Sequence, residues 1–129
     1  MRERPLIAIL DDDKSIRDAT ENLLQAAGFS TATFPDAESF LDSARRRSAA
    51  CVVTDMRMPG MTGLQMYQQL LARGERIPTV LITAYPEATL RTRAREAGIV
   101  CCLTKPFAPD ELLECVNNAL GPAPPIPKS

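Results

Sequence analysis

The chain has 129 residues, of which 45% are hydrophobic, and a formal net charge of −1. This length suits one globular domain that buries a core without disulfides or metal clips, and the balanced charge argues against direct nucleic-acid contact by this segment. The sequence shows no signal-like start and no apolar run near the ~18 residues of a membrane span, so we expect a cytoplasmic domain without membrane contact.

The first predicted elements are a buried strand and an amphipathic helix, separated by three carboxylates. Residues 6–10 are continuously apolar, which is typical of a strand covered on both faces. Apolar residues then recur at helical spacing over residues 16–27. Between the two stand Asp11, Asp12 and Asp13, of which Asp13 is predicted to cap the helix.

The middle of the chain repeats this alternation. Residues 29–34 form a weaker, more polar strand candidate, which suits the edge of a sheet. A short helical pattern covers residues 37–44. The apolar run 51–53 leads to Asp55, and another helical pattern covers residues 64–71.

The last part of the chain contains two more strand and helix pairs. Apolar runs at 80–82 and 99–103 predict strands; Thr83 ends the first and Lys105 follows the second. The helical patterns cover residues 86–97 and 112–120.

Five alternating pairs predict a doubly wound α/β fold with a five-stranded parallel sheet and helices on both faces. We expect the flavodoxin-like (βα)5 type with the strand order 2-1-3-4-5, and the expected placement of the polar residues depends on that order. The proline-rich segment that follows Gly121 cannot extend a helix. We therefore expect a domain over residues 1–120 and a linker or tail over residues 121–129.

Polar side chains follow the ends of several predicted strands. In an open parallel sheet these ends share one rim, and strands one and three are neighbours where the strand order reverses. Asp11, Asp12 and Asp55 are therefore expected to crowd together; their like charges call for a cation, and hard oxygen ligands favour Mg²⁺ or Mn²⁺. With Thr83 and Lys105 at the same rim, a metal-bound carboxylate can attack a phosphoryl group and form an acyl phosphate.

Four short motifs occur in order along the chain. They are Ile-Leu-Asp-Asp-Asp at 9–13, Val-Thr-Asp-Met-Arg-Met-Pro-Gly-Met-Thr-Gly at 53–63, Leu-Ile-Thr-Ala at 81–84, and Lys-Pro-Phe at 105–107. Each motif alone is a weak signal, but together the chain resembles the receiver domain of two-component response regulators over about residues 6–120.

The resemblance implies that Asp55 is the phosphoacceptor. Asp12, Asp55 and the backbone carbonyl of Arg57 would bind Mg²⁺ or Mn²⁺, with Asp11 acting largely through a bound water. Such a domain is a signalling module with intrinsic Mg-dependent self-phosphorylation and dephosphorylation chemistry, and it is not an enzyme in the usual sense.

The resemblance also implies a conformational switch. Thr83 would rotate its hydroxyl toward the phosphoryl group, and Lys105 would pair with that group or, before phosphorylation, with the acceptor carboxylate. One position departs from the family pattern, because Cys102 stands where such domains usually carry Tyr or Phe, so signal output is expected to use a different rearrangement. Arg57 and Tyr85 are hypothesised to tune the lifetime of the phosphoryl group.

Partners follow from the same resemblance. Receivers obtain phosphate from a histidine kinase or a phosphotransfer protein, and since the chain contains no His, the phosphohistidine must lie in another domain or protein. The motif wording resembles receivers attached to transcription factors, so we expect an output domain beyond residue 129, although a free tail fits the composition equally well. A homodimer through the fourth helix and the fifth strand is kept as an option.

Three other functions compete with this interpretation. A haloacid-dehalogenase-like phosphotransferase would use Asp11 as its nucleophile, but the acidic residues after Lys105 fall on a helix, where they are badly placed for a metal. A flavodoxin-like cofactor binder would need a phosphate-cradling first loop, and here that loop is acidic. A degenerate receiver that acts only as a docking module stays open because of Cys102.

The four cysteines lie in apolar runs and show no metal-binding spacing. They are Cys51, Cys101, Cys102 and Cys115. We interpret all of them as small core residues in a reducing environment. An oxidation sensor at the adjacent Cys101 and Cys102 is the less favoured alternative, because neighbouring strand residues face opposite sides of a sheet.

Overall fold

The computed structural model describes residues 4–84 and 88–121, and the predicted alternation of strands and helices is confirmed there. The strands are β1 (Leu6–Leu10), β2 (Ser30–Phe34), β3 (Ala49–Asp55), β4 (Thr79–Thr83) and β5 (Cys101–Thr104). The helices are α1 (Lys14–Ala26), α2 (Ala37–Asp42), α3 (Gly63–Ala72), α4 (Ala88–Ala97) and α5 (Pro109–Ala119), with a short 3-10 helix over Ala44–Ser48. Tyr85 and residues 122–129 of the predicted linker lie outside the described residues.

The strands form one parallel sheet in the order β2-β1-β3-β4-β5, which confirms the predicted fold class and strand order. The more polar β2 lies at an edge, as its composition predicts. The order reverses between β1 and β3, where Leu10 is paired with Thr54. The residues that follow β1 and those that end β3 are therefore neighbours at one rim of the sheet.

Helices cover both faces of the sheet, so the strands are buried on both sides. In β1, Ile7 and Ile9 pack with residues of α1 and α5, whereas Ala8 and Leu10 pack with residues of α2 and α3. Burial of each large aliphatic side chain is worth about 1.5–3 kcal/mol, and these contacts hold the strand ends in place. None of the helices in the described ranges is long and apolar enough to cross a membrane.

The interpretation of the cysteines as four unpaired core residues is wrong for two of them. Cys101 at the start of β5 and Cys115 in α5 are joined by a disulfide, with their Cα atoms 5.9 Å apart. Cys51 and Cys102 are free thiols. The pairing arises because α5 packs over the face of β5 that carries Cys101, a contact between residues 14 positions apart that no local spacing signals.

Candidate functional site

The three predicted metal-binding carboxylates lie together at the rim where β1 and β3 end. Oxygen atoms of Asp11, Asp12 and Asp55 all fall within 4.8 Å of one another. Asp55 is the last residue of β3, and Asp11 directly follows the neighbouring β1. The structure thus brings residues 44 positions apart (55 minus 11) into one acidic cluster, as predicted from the strand order.

The loop after β1 holds Asp11 in place through its own backbone. Asp11 is only 6% exposed, and its Oδ1 accepts a hydrogen bond of 2.9 Å from the backbone N–H of Asp13. The Asp13 side chain in turn caps α1, accepting from the N–H groups of Ser15 and Ile16, as predicted. Arg17 donates from Nη1 to the carbonyl oxygen of Asp11 at 2.7 Å, a contact that the sequence did not indicate.

The ammonium group of Lys105, which follows the edge strand β5, lies next to Asp55 at the same rim of the sheet. The Nζ atom of Lys105 lies 3.4 Å from Oδ2 of Asp55, and the two side chains are 28% and 12% exposed. Lys105 directly follows β5, and its backbone N–H donates to the carbonyl of Thr83 at 2.9 Å. The Lys105–Pro106 peptide bond is cis. Lys105 therefore lies where the sequence placed it, against the predicted acceptor.

The acidic cluster carries more negative charge than its surroundings balance. The pKa of Asp55 is raised above its ordinary value, first by burial and also by the charge of Asp12, although Lys105 and the N–H of Arg57 act in the opposite direction. Burial likewise raises the pKa of Asp11, and the charges of Asp55 and Asp12 add to this effect. Three carboxylates and one ammonium thus leave a site that a divalent cation would neutralise.

The donor set fits a hard divalent metal ion such as Mg²⁺ or Mn²⁺. Carboxylate oxygens are the ligands that these ions prefer, and the cluster offers three of them, from the buried Asp11, the half-buried Asp55 and the exposed Asp12. Asp11, Asp12 and Asp55 would hold the ion. Arg57 follows two residues after Asp55 with its side chain exposed, and the role of its carbonyl stays a prediction.

Thr83 lies at the same rim, at the end of β4. It is 2% exposed and is paired with Thr104 of β5. It also lines a cavity of about 310 Å³ beside the site, together with residues of the loop after β3 and of α4. The other lining residues are Met56, Arg57, Thr62, Thr89, Leu90 and Arg93.

Sequence reasoning missed the role of Gly63, the first residue of α3. A Cβ atom at this position would lie 2.6 Å from the carbonyl oxygen of Asp55 and 2.8 Å from Cδ1 of Leu81. The N–H of Gly63 also donates to the carbonyl of Met56 at 3.0 Å. Only glycine lets α3 start this close to the acceptor strand; the sequence shows the glycine in a motif but not what it touches.

Cys102, the position that departs from the family pattern, is half-buried. Cys102 packs with the group that contains Leu81, Tyr67 and Ile99, on the face covered by α3 and α4. Beyond it, Arg91 of α4 donates from Nη2 to Oγ1 of Thr104 at 2.7 Å. This bond ties α4 to the end of β5, and nothing in the sequence pattern pointed to it.

Comparison with known proteins agrees with the fold and with the family that the sequence resembles. The family described as response regulator receiver domain matches residues 7–117. The transcriptional regulatory protein FixJ of Bradyrhizobium diazoefficiens is 37% identical over 95% of this chain and 60% of its own length. The response regulator protein TodT of Pseudomonas putida is 38% identical over 92% of this chain and 52% of its own. The chain thus spans about half the length of these curated relatives.

Solved structures show the same fold. The response regulator StyR superposes with a TM-score of 0.83 at 42% identity, covering 91% of this chain and 59% of that chain. FixJ-N superposes with a TM-score of 0.82 at 30% identity, covering 93% of this chain and 95% of that one. In these matches the likeness extends over nearly all of the described residues.

Proposed function

The chain belongs to the receiver domain family of two-component response regulators, and on that premise we propose that it accepts a phosphoryl group on Asp55 in a Mg²⁺- or Mn²⁺-dependent reaction. It is a signalling domain and not an enzyme in the usual sense. The dehalogenase-type alternative is not favoured, because the matches are to receivers.

One observation carries the proposal most directly: Asp55 belongs to the acidic cluster and also lies against Lys105. A carboxylate acting as nucleophile must approach a phosphoryl group that is itself anionic. The Lys105 ammonium, 3.4 Å from Oδ2 of Asp55, offsets part of that repulsion and would pair with the phosphoryl oxygens as they arrive. The Thr83 hydroxyl would donate a hydrogen bond to the same group.

The carboxylates of Asp11, Asp12 and Asp55, with the carbonyl of Arg57, would hold the metal ion. When bound, the ion supplies positive charge that neutralises the phosphoryl oxygens. Attack by an Asp55 oxygen on phosphorus then forms the acyl phosphate, and the bond from phosphorus to the donor breaks. Asp11 is buried and Asp55 half-buried, whereas Asp12 is exposed, so water reaches the site mainly from the side of Asp12.

The phosphoryl donor would be the phosphohistidine of a histidine kinase or phosphotransfer protein, since the chain has no His of its own. We assign the domain to residues 1–120 and a linker or tail to 121–129, and we propose an output domain beyond residue 129. The length of the relatives supports that arrangement. We also propose a homodimer through α4 and β5; the exposed arginines of α4 are most simply a solvated helix face and do not by themselves support it.

Signal output must proceed without the usual aromatic side chain of β5. Cys102 occupies its position, and the Arg91–Thr104 bond joins α4 to the strand end next to Lys105. A movement of Lys105 toward a new phosphoryl group would act on Thr104, its neighbour in the chain, and thereby on α4. We infer that this contact takes over part of the aromatic residue's role.

The test is incubation with acetyl phosphate and Mg²⁺, followed by intact-mass measurement. The wild type should gain one phosphoryl group, and the gain should be lost on chelation of the metal. Asp55→Asn is the matched variant, since it keeps the size of the side chain but removes the nucleophilic carboxylate; it should gain none. Phosphate on both proteins would refute the assignment of the acceptor.

A second comparison separates a working receiver from a degenerate docking module. The latter would take up no phosphate under any of these conditions, although it would still bind partners. Peptide mapping after borohydride reduction of the acyl phosphate should place the modification at Asp55. Modification at Asp11 would revive the dehalogenase-type mechanism.

A further inference from the structure

Two cysteines bridge the last strand and the last helix of the domain. Cys101 begins β5 and Cys115 lies in α5, and their sulfur atoms are bonded with the Cα atoms 5.9 Å apart. This separation lies within the ordinary range for a disulfide, so the two thiols can join without movement of the backbone. Packing of α5 against the sheet holds them at this distance, since Cys115 belongs to the same core cluster that Cys101 contacts.

The other two cysteines are placed differently. Cys51 is fully buried, and burial raises the pKa of its thiol to about 12, which makes it a poor nucleophile. Cys102 is next to Cys101 but packs on the opposite face of the sheet, with residues of α3 and α4. Because neighbouring strand residues face opposite sides, Cys102 does not share the surroundings of Cys115. The pairing is therefore specific to Cys101 and Cys115.

The disulfide encloses the segment that carries the site's cation. The closed loop runs from residue 101 to residue 115 and contains Lys105, whose ammonium lies 3.4 Å from Asp55. It also contains Thr104, which accepts the hydrogen bond from Arg91 of α4. In the packed domain α5 already holds this segment against the sheet, so the covalent closure acts mainly when α5 or β5 loosens locally: it restricts the conformations of the loosened segment, and reduction restores them.

We propose that Cys101 and Cys115 form a reversible redox pair, oxidised by peroxides, whose state sets how firmly Lys105 is held against Asp55. The half-buried Cys101 is the more accessible of the two, since Cys115 is only 6% exposed. The Cys101 sulfur attacks one oxygen of hydrogen peroxide and releases water, which leaves a sulfenic acid. The Cys115 sulfur then displaces a second water and forms the disulfide.

The balance is two thiols and one hydrogen peroxide giving one disulfide and two waters. A dithiol reverses the reaction by exchange and is itself oxidised to a disulfide. The coupling to phosphoryl transfer rests on the proposed function of Asp55, whereas the formation of the disulfide does not.

The experiment compares the full chain in its reduced and oxidised forms. Peroxide treatment should lower the intact mass by two hydrogen atoms and leave only Cys51 and Cys102 open to alkylation after denaturation. Oxidised protein should then take up phosphate from acetyl phosphate and Mg²⁺ about two- to fivefold faster than reduced protein, because a better-held Lys105 is closer to its working position. Cys102→Ser should keep both effects, and Cys101→Ser/Cys115→Ser should lose both.

Each outcome bears on a different part of the proposal. No loss of two hydrogen atoms, or alkylation of all four cysteines after peroxide, would overturn the redox pair. Equal phosphorylation rates in the two forms would overturn the coupling alone. If neither form takes up phosphate, the proposed function falls and the coupling with it. A rate difference that persists in the double variant would likewise overturn the proposal, since it would arise elsewhere in the chain.

Discussion

Replacement of Gly63 by alanine should damage both the stability and the chemistry of the domain. The added Cβ would lie 2.6 Å from the carbonyl oxygen of Asp55, 2.8 Å from Cδ1 of Leu81 and 3.1 Å from Cγ2 of Thr54. The first contact is with strand backbone, which cannot move aside as a flexible side chain can. Either α3 must move away from β3, or the end of β3 must shift and take Asp55 with it.

These short contacts set the expected loss in the free energy of unfolding. Insertion of one carbon into a packed contact costs about 1–3 kcal/mol, and a backbone neighbour places Gly63→Ala at the upper end, about 2–3 kcal/mol. At about 2.1 cal/mol/K per residue for the entropy of unfolding, the Tm should fall by roughly 7–11 °C. Displacement of the acceptor by even part of an ångström should also slow phosphoryl uptake by about tenfold or more.

The assays are urea unfolding and acetyl phosphate uptake measured on the same preparations. Gly28→Ala is the control, because the Cβ added at Gly28 meets nothing within 4 Å; unlike Gly63, Gly28 has a positive φ of 100°, so its substitution tests backbone strain without a steric clash. It should cost about 1 kcal/mol through backbone strain and leave uptake unchanged. The reasoning fails if Gly63→Ala is as stable as the wild type, or if it loses stability but phosphorylates at the wild-type rate.

Three further predictions concern single contacts. Lys105→Met should slow phosphoryl uptake by about tenfold or more, because it removes the cation that faces Asp55; intact-mass time courses would contradict this by showing an unchanged rate. Asp36→Ala should cost about 1 kcal/mol at neutral pH, because the Asp36 carboxylate caps α2. The cap lowers the pKa of Asp36 below 3.8, so its stabilisation is present above that pH and is lost as the pH falls through the folded-state pKa; urea unfolding that shows an equal difference in strong acid would argue against this. Tyr67→Phe should destabilise the domain by about 1 kcal/mol, since the hydroxyl donates to the carbonyl of Gly98 at 3.1 Å, and an unchanged free energy of unfolding would mean that water replaces this bond.

The site residues were open to prediction because each stands within two positions of the end of an apolar run. Asp11 follows β1, Asp55 ends β3 and Lys105 follows β5, so knowledge of the strand ends places all three at one rim. Their proximity then depends on the strand order, which alternation and crossover handedness restrict to few choices. The residues that support them were less visible. Arg17 donates a hydrogen bond to the carbonyl of Asp11, but nothing in the sequence distinguishes this arginine from one whose side chain points into solvent.

The amino-acid sequence by itself determined the alternation of strands and helices, the caps such as Asp13, and the residue types gathered at the rim, because these depend on neighbours within a few positions along the chain. Tertiary structure alone decided the contacts between distant segments. Cys101 meets Cys115 because α5 packs over β5, and Gly63 must be glycine because α3 starts against the backbone of Asp55. Such contacts depend on how whole elements pack in three dimensions. The hydrophobic periodicity of one segment predicts which of its residues are buried, but it does not predict which residues of another segment they contact.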